Sequence, residues 1–252
     1  MKVFITGGTS GIGLELARHY LKRGDWVAVT GRDLSKLDGE PLQREERLST
    51  YEGDVRDADF MRESIEHFQG QVGGPGLDLV LANAGRSVGN KSHIPNFSLG
   101  REVIETNVTG TLNTFEPAME IMCAQGHGHL AAVSSVAGFI GLPTAAFYSA
   151  SKAAVTRLCE AFSIALESEG IAVTCLCPGF IDTPLTRQNN HKMPFLMDVT
   201  DAAQRMAWAI EQKKGLYVFP WQMKWIIGFF DKMPRRAYRT LVGPKLLRHQ
   251  KN

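Results

Sequence analysis

Tyr148 and Lys152 are the two residues of this chain whose types and spacing best suit proton transfer. They lie four positions apart in Tyr-Ser-Ala-Ser-Lys, and side chains at that spacing share one face of a helix. A tyrosine hydroxyl has an ordinary pKa of about 10, so it exchanges protons poorly near neutral pH. A neighbouring ammonium group favours the phenolate and lowers that pKa. The pair therefore predicts an acid–base site, and a surface tyrosine beside a solvated lysine is the alternative.

A glycine-rich turn near the N-terminus indicates a second site, which binds phosphate. Residues 2–6 are apolar and β-branched, which favours a strand, and a helical pattern of apolar residues begins at Leu14. Glycines between a strand and a helix let backbone N–H groups approach a pyrophosphate, whose charge the helix N-terminus opposes. This context favours dinucleotide binding over a merely flexible turn. The turn reads Gly7-Gly8-Thr9-Ser10-Gly11-Ile12-Gly13.

The glycine spacing Thr-Gly-x-x-x-Gly-x-Gly, together with Tyr148 and Lys152, resembles the short-chain dehydrogenase/reductase family. Ser135 stands thirteen residues before Tyr148, at the family's usual interval, and Asn107 lies in Asn-Val-Thr-Gly. Ala82 departs from the family, many of whose members have a second Asn there, but its side chain is not a reacting group. The likeness runs in unbroken order from residue 2 to about 219. It includes the turns Asn83-Ala84-Gly85 and Pro178-Gly179, and Thr183.

The resemblance implies hydride transfer between a nicotinamide cofactor and a carbonyl or secondary alcohol. It assigns proton exchange to Tyr148, and it assigns pKa lowering and ribose binding to Lys152. Ser135 would hydrogen-bond the substrate oxygen, and Asn107 would hold a relay water. A redox-sensing regulator without turnover is the alternative, although such relatives tend to lose the Tyr or Lys kept here. The implied cofactor-binding residues are Gly7, Thr9, Ser10, Gly11, Ile12, Gly13, Arg32, Asp54, Val55, Asn83, Ala84, Gly85, Tyr148, Lys152, Pro178, Gly179, Ile181 and Thr183.

The order of predicted elements indicates one α/β domain with a doubly wound, Rossmann-type parallel sheet. Helical stretches separate the predicted strands, and 252 residues suffice for one such core. We assign residues 1–219 to the catalytic domain and 220–252 to a C-terminal tail. The predicted strands are 2–6, 26–30, 48–52, 77–82, 129–134, 171–177 and 216–219.

Composition limits where the protein acts and what it binds. No apolar run reaches the length of a membrane span, and the N-terminus reads as a strand and not as a signal peptide, so a cytoplasmic protein is expected. The four cysteines lack metal-ligand spacing, and we expect buried free thiols and no metal site. They are Cys123, Cys159, Cys175 and Cys177.

Residues 31–33, after the second predicted strand, bear on the choice of dinucleotide. An acid at this strand end would bind the ribose 2′-hydroxyl of NAD(H), whereas an arginine can pair with the 2′-phosphate of NADP(H). The family's usual acid position holds Gly31, and Arg32 follows it. Asp33 is a rival acid, but its sequence context favours a cap on the next short helix. These residues favour NADP(H) over NAD(H), and by resemblance Asp54 and Val55 hold the adenine.

The substrate side is less defined in the sequence. Residues 86–96 and 182–199 are expected to flank the nicotinamide, and an apolar second loop suits a hydrophobic substrate or the packing of a lid. His93 and His191 are possible polar contacts, although a loop histidine is more often solvated. The apolar residues of the second loop include Leu185, Met193, Phe195, Leu196 and Met197.

The C-terminal tail differs from the rest in charge. From residue 213 onward there are ten Lys and Arg residues and one acid, Asp231, although the whole chain has a net charge of only +2. The preceding residues are therefore net acidic. Basic segments suit anionic partners. Within this segment the stretch from Trp221 to Phe230 is almost wholly apolar apart from Gln222 and Lys224.

Two interpretations of residues 221–248 stay open. The segment could lie in a membrane interface, with its aromatic rings at the acyl boundary and its basic residues toward anionic headgroups. It could instead pack over the cleft or against another subunit. The resemblance implies a homo-oligomer, a dimer or tetramer, so packing needs no new partner. Nucleic acid is not expected, since the basic residues form no recognisable binding motif.

Overall fold

The computed structural model describes residues 1–71, 76–88, 95–188 and 192–248. Within these residues seven parallel strands form one sheet in the order β3-β2-β1-β4-β5-β6-β7. The order reverses direction beside β1, which confirms the doubly wound topology. The strands are β1 Lys2–Ile5, β2 Trp26–Gly31, β3 Leu48–Glu52, β4 Leu79–Ala82, β5 Gly128–Val133, β6 Ile171–Pro178 and β7 Leu216–Phe219.

Helices cover both faces of the sheet. Apolar residues of α1 and α6 pack on one face, and those of α2, α4 and α5 pack on the other. Each of these five helices buries one apolar stripe, as amphipathic sequence requires. The helices are α1 Gly11–Lys22, α2 Ala58–Gln71, α3 Phe97–Ile104, α4 Gly110–Gln125, α5 Ala146–Ala165, α6 Val199–Glu211, α7 Trp221–Asp231 and α8 Arg235–Arg248.

All seven predicted strands are present, and five of them differ at one or both ends by one or two residues. The largest difference is in β4, which begins at Leu79 and not at residue 77. Terminal residues of a strand make few ladder hydrogen bonds, so pattern alone locates them poorly. The parallel arrangement brings the carboxyl ends of β1, β4, β5 and β6 to one edge of the sheet. In such sheets ligands bind at this edge, beside the point where strand order reverses.

The cysteines are only partly as expected. Cys159, Cys175 and Cys177 are free and buried, as predicted, but Cys123 is exposed. The prediction for Cys123 was wrong because its position in α4 faces solvent, whereas its neighbour Met122 faces the core.

Two further observations concern the described residues as a whole. Their His, Cys, Asp and Glu side chains form no group of three or more that could hold a metal ion. None of their helices is both long and apolar enough to cross a membrane.

The C-terminal tail packs on the catalytic domain. Met223 and Ile227 of α7 are buried against Val136, and Phe139 lies beside them. Tyr238 of α8 donates a 2.7 Å hydrogen bond from its hydroxyl to the carbonyl of Gly141. Both helices therefore contact the segment that follows β5, in agreement with the packing interpretation for one face of α7.

Candidate active site

In the glycine turn after β1, backbone segments approach one another closely at the N-terminus of α1. Gly7 and Gly11 have positive φ angles of 64° and 55°, which favour glycine. A β-carbon on Gly13 would lie 2.4 Å from the carbonyl oxygen of Gly7, so no larger residue fits without a shift. The first amides of a helix have no intrahelical acceptor and are free to bind an anion. The turn is therefore a tight backbone cradle whose chemistry suits a pyrophosphate.

Asn83 and Thr6 hold this cradle to the end of β4. The Asn83 side chain donates from Nδ2 to the carbonyl oxygens of Thr6 (2.9 Å) and Gly7 (3.1 Å). In return, the Thr6 hydroxyl oxygen accepts hydrogen bonds from the backbone N–H groups of Asn83 (3.0 Å) and Ala84 (3.1 Å). The glycine turn and the Asn83-Ala84-Gly85 turn thus form one hydrogen-bonded unit.

The segment after β6 reaches the same cradle. A β-carbon on Gly11 would lie 3.3 Å from Cγ2 of Thr183, which is buried. The backbone N–H of Gly179 donates to the Phe219 carbonyl at 2.7 Å, and Ile181 is buried and pairs with Met197 in a short bridge. Thr183 therefore lies against the glycine turn, and the segment from Pro178 to Thr183 is held beside β7 and Met197.

Arg32 and Asp54 lie at the other end of the candidate cofactor cleft, where β2 and β3 end. Arg32 is exposed and close enough to Asp54 to lower the pKa of that carboxyl, although hydrogen bonds from Arg56 are the larger cause. Val55 is buried. Asp33 caps the short helical turn Leu34–Leu37 by accepting from the backbone N–H of Ser35 at 3.1 Å, which confirms the predicted cap.

Ser135 and Tyr148 meet at the end of β5. The Ser135 oxygen accepts a 3.1 Å hydrogen bond from the N–H of Ala137 and so starts a short helical turn. Gly138 lets this turn approach α5, because a β-carbon there would lie 2.8 Å from the backbone of Lys152. Desolvation raises the pKa of Tyr148, and a hydrogen bond with Ser135 acts in the opposite direction. The phenol is therefore protonated at neutral pH, and Ser135 is close enough to influence its pKa.

Lys152 is buried next to the ring of Tyr148. Its Nζ lies 5.7 Å from the centroid of that ring and donates a 2.8 Å hydrogen bond to the carbonyl oxygen of Val133. Burial lowers the pKa of Lys152 to about 8. The expected fall in the Tyr148 pKa is not found, because desolvation of the phenol outweighs the effects that lower it. The lysine is nevertheless on the predicted face, within cation–π range of the tyrosine.

Asn107 lies in a π-helical turn, Glu105–Thr109, that joins α3 to α4. Such turns interrupt the regular ladder and often occur at functional sites. The Asn107 side chain accepts from the N–H of Arg86 at 2.7 Å and donates to its carbonyl at 2.9 Å. A β-carbon on Gly85 would lie 3.5 Å from both Asn107 Oδ1 and Lys152 Nζ. The two polar atoms therefore border the same small space beside Gly85.

Three residues contribute to the site that sequence reasoning did not assign to it, namely Thr6, Arg86 and Ser151. Ser151 accepts a 2.9 Å hydrogen bond from Asn107 and donates one of 2.8 Å to the Tyr148 carbonyl. Thr6 is the first residue of the glycine motif, so the motif itself was a signal for its role. Arg86 begins the range 86–96 that the sequence placed beside the nicotinamide, but it was given no role of its own. No pattern pointed to Ser151, because its partner Asn107 lies 44 residues away.

The substrate side is described only in part. Phe195, Leu196 and Met197 line a cavity of about 350 Å³ together with residues of α6 and the start of α7. Neither Tyr148 nor Ser135 is among the described residues that line it. His93 and His191 lie outside the described residues.

The chain is similar to known dehydrogenases over most of its length. The family model described as short chain dehydrogenase matches residues 1–194. A Myxococcus xanthus (strain DK1622) protein named "Uncharacterized oxidoreductase" is 39% identical over 244 residues, which cover 95% of this chain and 92% of that protein. ElxO with NADP bound is 27% identical, with a TM-score of 0.77, over 86% of this chain and 95% of ElxO. A Burkholderia cenocepacia J2315 short-chain dehydrogenase in complex with NADP is 22% identical, with a TM-score of 0.82 over 96% of both chains, and shares the fold.

Proposed function

Since this chain belongs to the short-chain dehydrogenase family, we propose that it transfers a hydride between NADP(H) and a carbonyl or secondary alcohol carbon of a small molecule. The proposal rests on one observation, namely that four side chains lie close together beside the glycine cradle. They are Ser135, Tyr148, Lys152 and Asn107. The nicotinamide cofactor would supply or accept the hydride. The protein's own residues would bind, orient and exchange the proton.

Tyr148 is the proposed acid in the direction of reduction. Its raised pKa keeps the phenol protonated at neutral pH, so it has a proton to give to the substrate oxygen. Ser135 lies close enough to Tyr148 to lower its pKa, and its hydroxyl would donate to the oxygen on which negative charge develops. In oxidation Tyr148 would first have to lose its own proton to solvent, and the resulting phenolate would then accept the proton of the alcohol.

Lys152 and Asn107 would support this exchange. A protonated Lys152 beside the Tyr148 ring would stabilise the phenolate that forms when the proton leaves. The space beside Gly85, which Asn107 Oδ1 and Lys152 Nζ both border, suits a water that returns the proton from solvent. Once the cofactor is bound, Lys152 would also hydrogen-bond the nicotinamide ribose.

NADP(H) is the proposed cofactor because of the side chains where β2 ends. The exposed Arg32 guanidinium can pair with a 2′-phosphate, whereas Gly31 offers no acid to bind a 2′-hydroxyl. Asp33, the rival acid, already has other partners. It accepts hydrogen bonds from Ser35 and forms a 3.8 Å ion pair with Lys36. ElxO, at 27% identity, has NADP bound in its structure.

A small hydrophobic carbonyl or alcohol is the proposed substrate, and a homo-oligomer is the proposed assembly. Phe195 and Leu196 remain nearly half exposed beside the segment that follows β6, where apolar side chains could contact such a substrate. Exposed apolar residues on α4 and α5, Leu112 and Ile164, suit contacts between copies of the chain.

The proposed function is tested with Tyr148→Phe. The variant is expected to lose about a thousandfold in NADPH oxidation across a panel of aldehydes and ketones, while NADPH affinity stays within about twofold. Tyr20→Phe is the matched control, because Tyr20 is buried and its hydroxyl has no hydrogen-bond partner among the described residues. Full activity in Tyr148→Phe would refute the proposal. NADPH binding without turnover by the wild type would favour the regulator instead.

A further inference from the structure

Helix α7 presents an aromatic stripe to solvent. Trp221, Trp225 and Phe229 are spaced four residues apart and are 67%, 73% and 65% exposed. Side chains at this spacing lie on one helix face. A solvated helix face normally carries polar side chains, because exposing large aromatic side chains to water costs free energy. The stripe (Trp221, Trp225 and Phe229) is the opposite of this pattern.

The stripe cannot turn inward, because the other face of α7 is already packed. Met223 and Ile227 are each 7% exposed and lie against Val136 and Phe139. The hydrogen bond from Tyr238 to Gly141 holds α8 next to the same segment. The protein therefore fixes the helix by one apolar face and leaves a second apolar face outward.

Exposed basic side chains lie on the same two helices as the stripe. Lys224 and Lys232 are exposed on α7 and just after it, and Arg235, Arg236 and Arg239 are exposed on α8. None of these five forms an ion pair with a side chain that the structure describes. Among the described side chains, therefore, no acid neutralises them.

We propose that α7 and α8 form a docking surface for an anionic lipid bilayer. Tryptophan and phenylalanine rings insert at the boundary between headgroups and acyl chains, and lysine and arginine pair with anionic headgroups above it. The exposed aromatic stripe suits the apolar layer of such a surface, and the exposed cations of α7 and α8 suit its anionic headgroups. The protein would lie on the membrane and not span it.

A second copy of the chain fits this surface less well. In a twofold interface each patch meets itself, so the cations around one stripe would face those around the other. Like charges held that close disfavour the contact. A headgroup layer of opposite charge has no such conflict, and the complementarity of charge therefore favours lipid.

The test is co-sedimentation of the full-length protein with vesicles of phosphatidylcholine and phosphatidylglycerol at a 7:3 ratio. Binding is expected at 0.1 M salt, and vesicles of phosphatidylcholine alone should bind at least about tenfold less. The combined change Trp221→Ser, Trp225→Ser and Phe229→Ser should remove binding, because it deletes the inserted rings. The buried Met223 and Ile227 are kept, so α7 should stay in place.

A matched control alters three exposed apolar residues elsewhere, Phe97→Ser, Trp208→Ser and Leu216→Ser, and should bind vesicles like the wild type. A second pair tests charge without touching the stripe. Arg235→Glu with Arg236→Glu should weaken binding at least about tenfold, and Lys22→Glu with Arg44→Glu should not.

Two results would overturn the proposal. One is a wild type that never sediments with anionic vesicles, or that does so equally after the aromatic change. The other is evidence that the stripe serves self-association. In that case the wild type would not bind vesicles, and the aromatic change would give a smaller oligomer in size-exclusion chromatography. Because no step uses a cofactor, the outcome is independent of the oxidoreductase proposal.

Discussion

Asn107 and Ser151 are joined by a 2.9 Å hydrogen bond from Asn107 Nδ2 to Ser151 Oγ. The serine hydroxyl in turn donates to the carbonyl oxygen of Tyr148 at 2.8 Å, so one buried hydroxyl connects the π-helical turn to α5. Ser151 is fully buried. The relative position of Asn107, Tyr148 and Lys152 therefore depends on a residue that we do not expect to touch the substrate.

Ser151→Ala should lower kcat by about five- to tenfold and leave NADPH affinity within about twofold. The change removes the acceptor for Asn107 and loosens the placement of the helix turn that bears Tyr148. Steady-state kinetics and a fluorescence titration with NADPH would measure the two quantities. Ser163→Ala is the control, since Ser163 is a half-buried serine of α5 whose hydroxyl donates to the nearby backbone carbonyl of Glu160. Equal kcat in both variants would contradict the positioning role.

Thr6→Val should lower the free energy of unfolding by about 1–3 kcal/mol and weaken NADPH binding. It leaves the backbone N–H groups of Asn83 and Ala84 without the hydroxyl oxygen that accepts from both. Chemical denaturation would measure the first effect and titration with NADPH the second.

Thr30→Val is the matched control for Thr6→Val. Thr30 is also a fully buried threonine at the end of a neighbouring strand, but its hydroxyl has no partner among the described residues. Its replacement should leave stability unchanged or raise it by about 1 kcal/mol. Equal losses in the two variants would show that the Thr6 hydrogen bonds contribute nothing specific.

Arg32→Ala should raise the KM for NADPH by about ten- to a hundredfold and leave the KM for NADH nearly unchanged. The guanidinium is exposed at the end of β2, where a 2′-phosphate would bind. Initial rates with both cofactors would measure the ratio. Arg44→Ala, at another exposed arginine, should change neither value, and a loss in Arg32→Ala that was equal for NADPH and NADH would argue against phosphate recognition.

Lys152 should make stability depend on pH in alkaline solution. Burial lowers its pKa from 10.5 to about 8, so between these values the folded chain holds fewer protons than the unfolded chain. The free energy of unfolding must therefore rise with pH in this window, by at most about 1.4 kcal/mol per pH unit. Below pH 8 both states are protonated and the contribution is constant.

The difference in unfolding free energy between the wild type and Lys152→Met isolates this effect. It should be flat from pH 6 to 7.5 and should shift in favour of the wild type from about pH 8 to 10. The same comparison with the exposed Lys22→Met should be flat throughout. A flat difference for Lys152→Met would mean that the buried amine keeps its ordinary pKa.

The sequence determined the elements, their order and the main site motifs. Alternation of short β-branched strands with amphipathic helices is a local property, and it indicated the parallel sheet correctly. The spacing of Tyr148 and Lys152 on one helix face is likewise local, and so is the cap formed by Asp33. Exposure of Cys123 was missed because a single residue of a helix reveals its face only when the neighbouring helices are known.

How distant segments of the chain contact one another depends on the tertiary structure. The bonds of Thr6 to Asn83, of Asn107 to Ser151 and of Tyr238 to Gly141 join residues far apart in the chain, and no local pattern encodes such pairs. The direction of the Tyr148 pKa shift also depends on the tertiary structure. Desolvation involves every atom that surrounds the phenol and not only the lysine one turn away. The same holds for α7, where packing against Val136 chose the buried face and thereby left Trp221 and Trp225 outside.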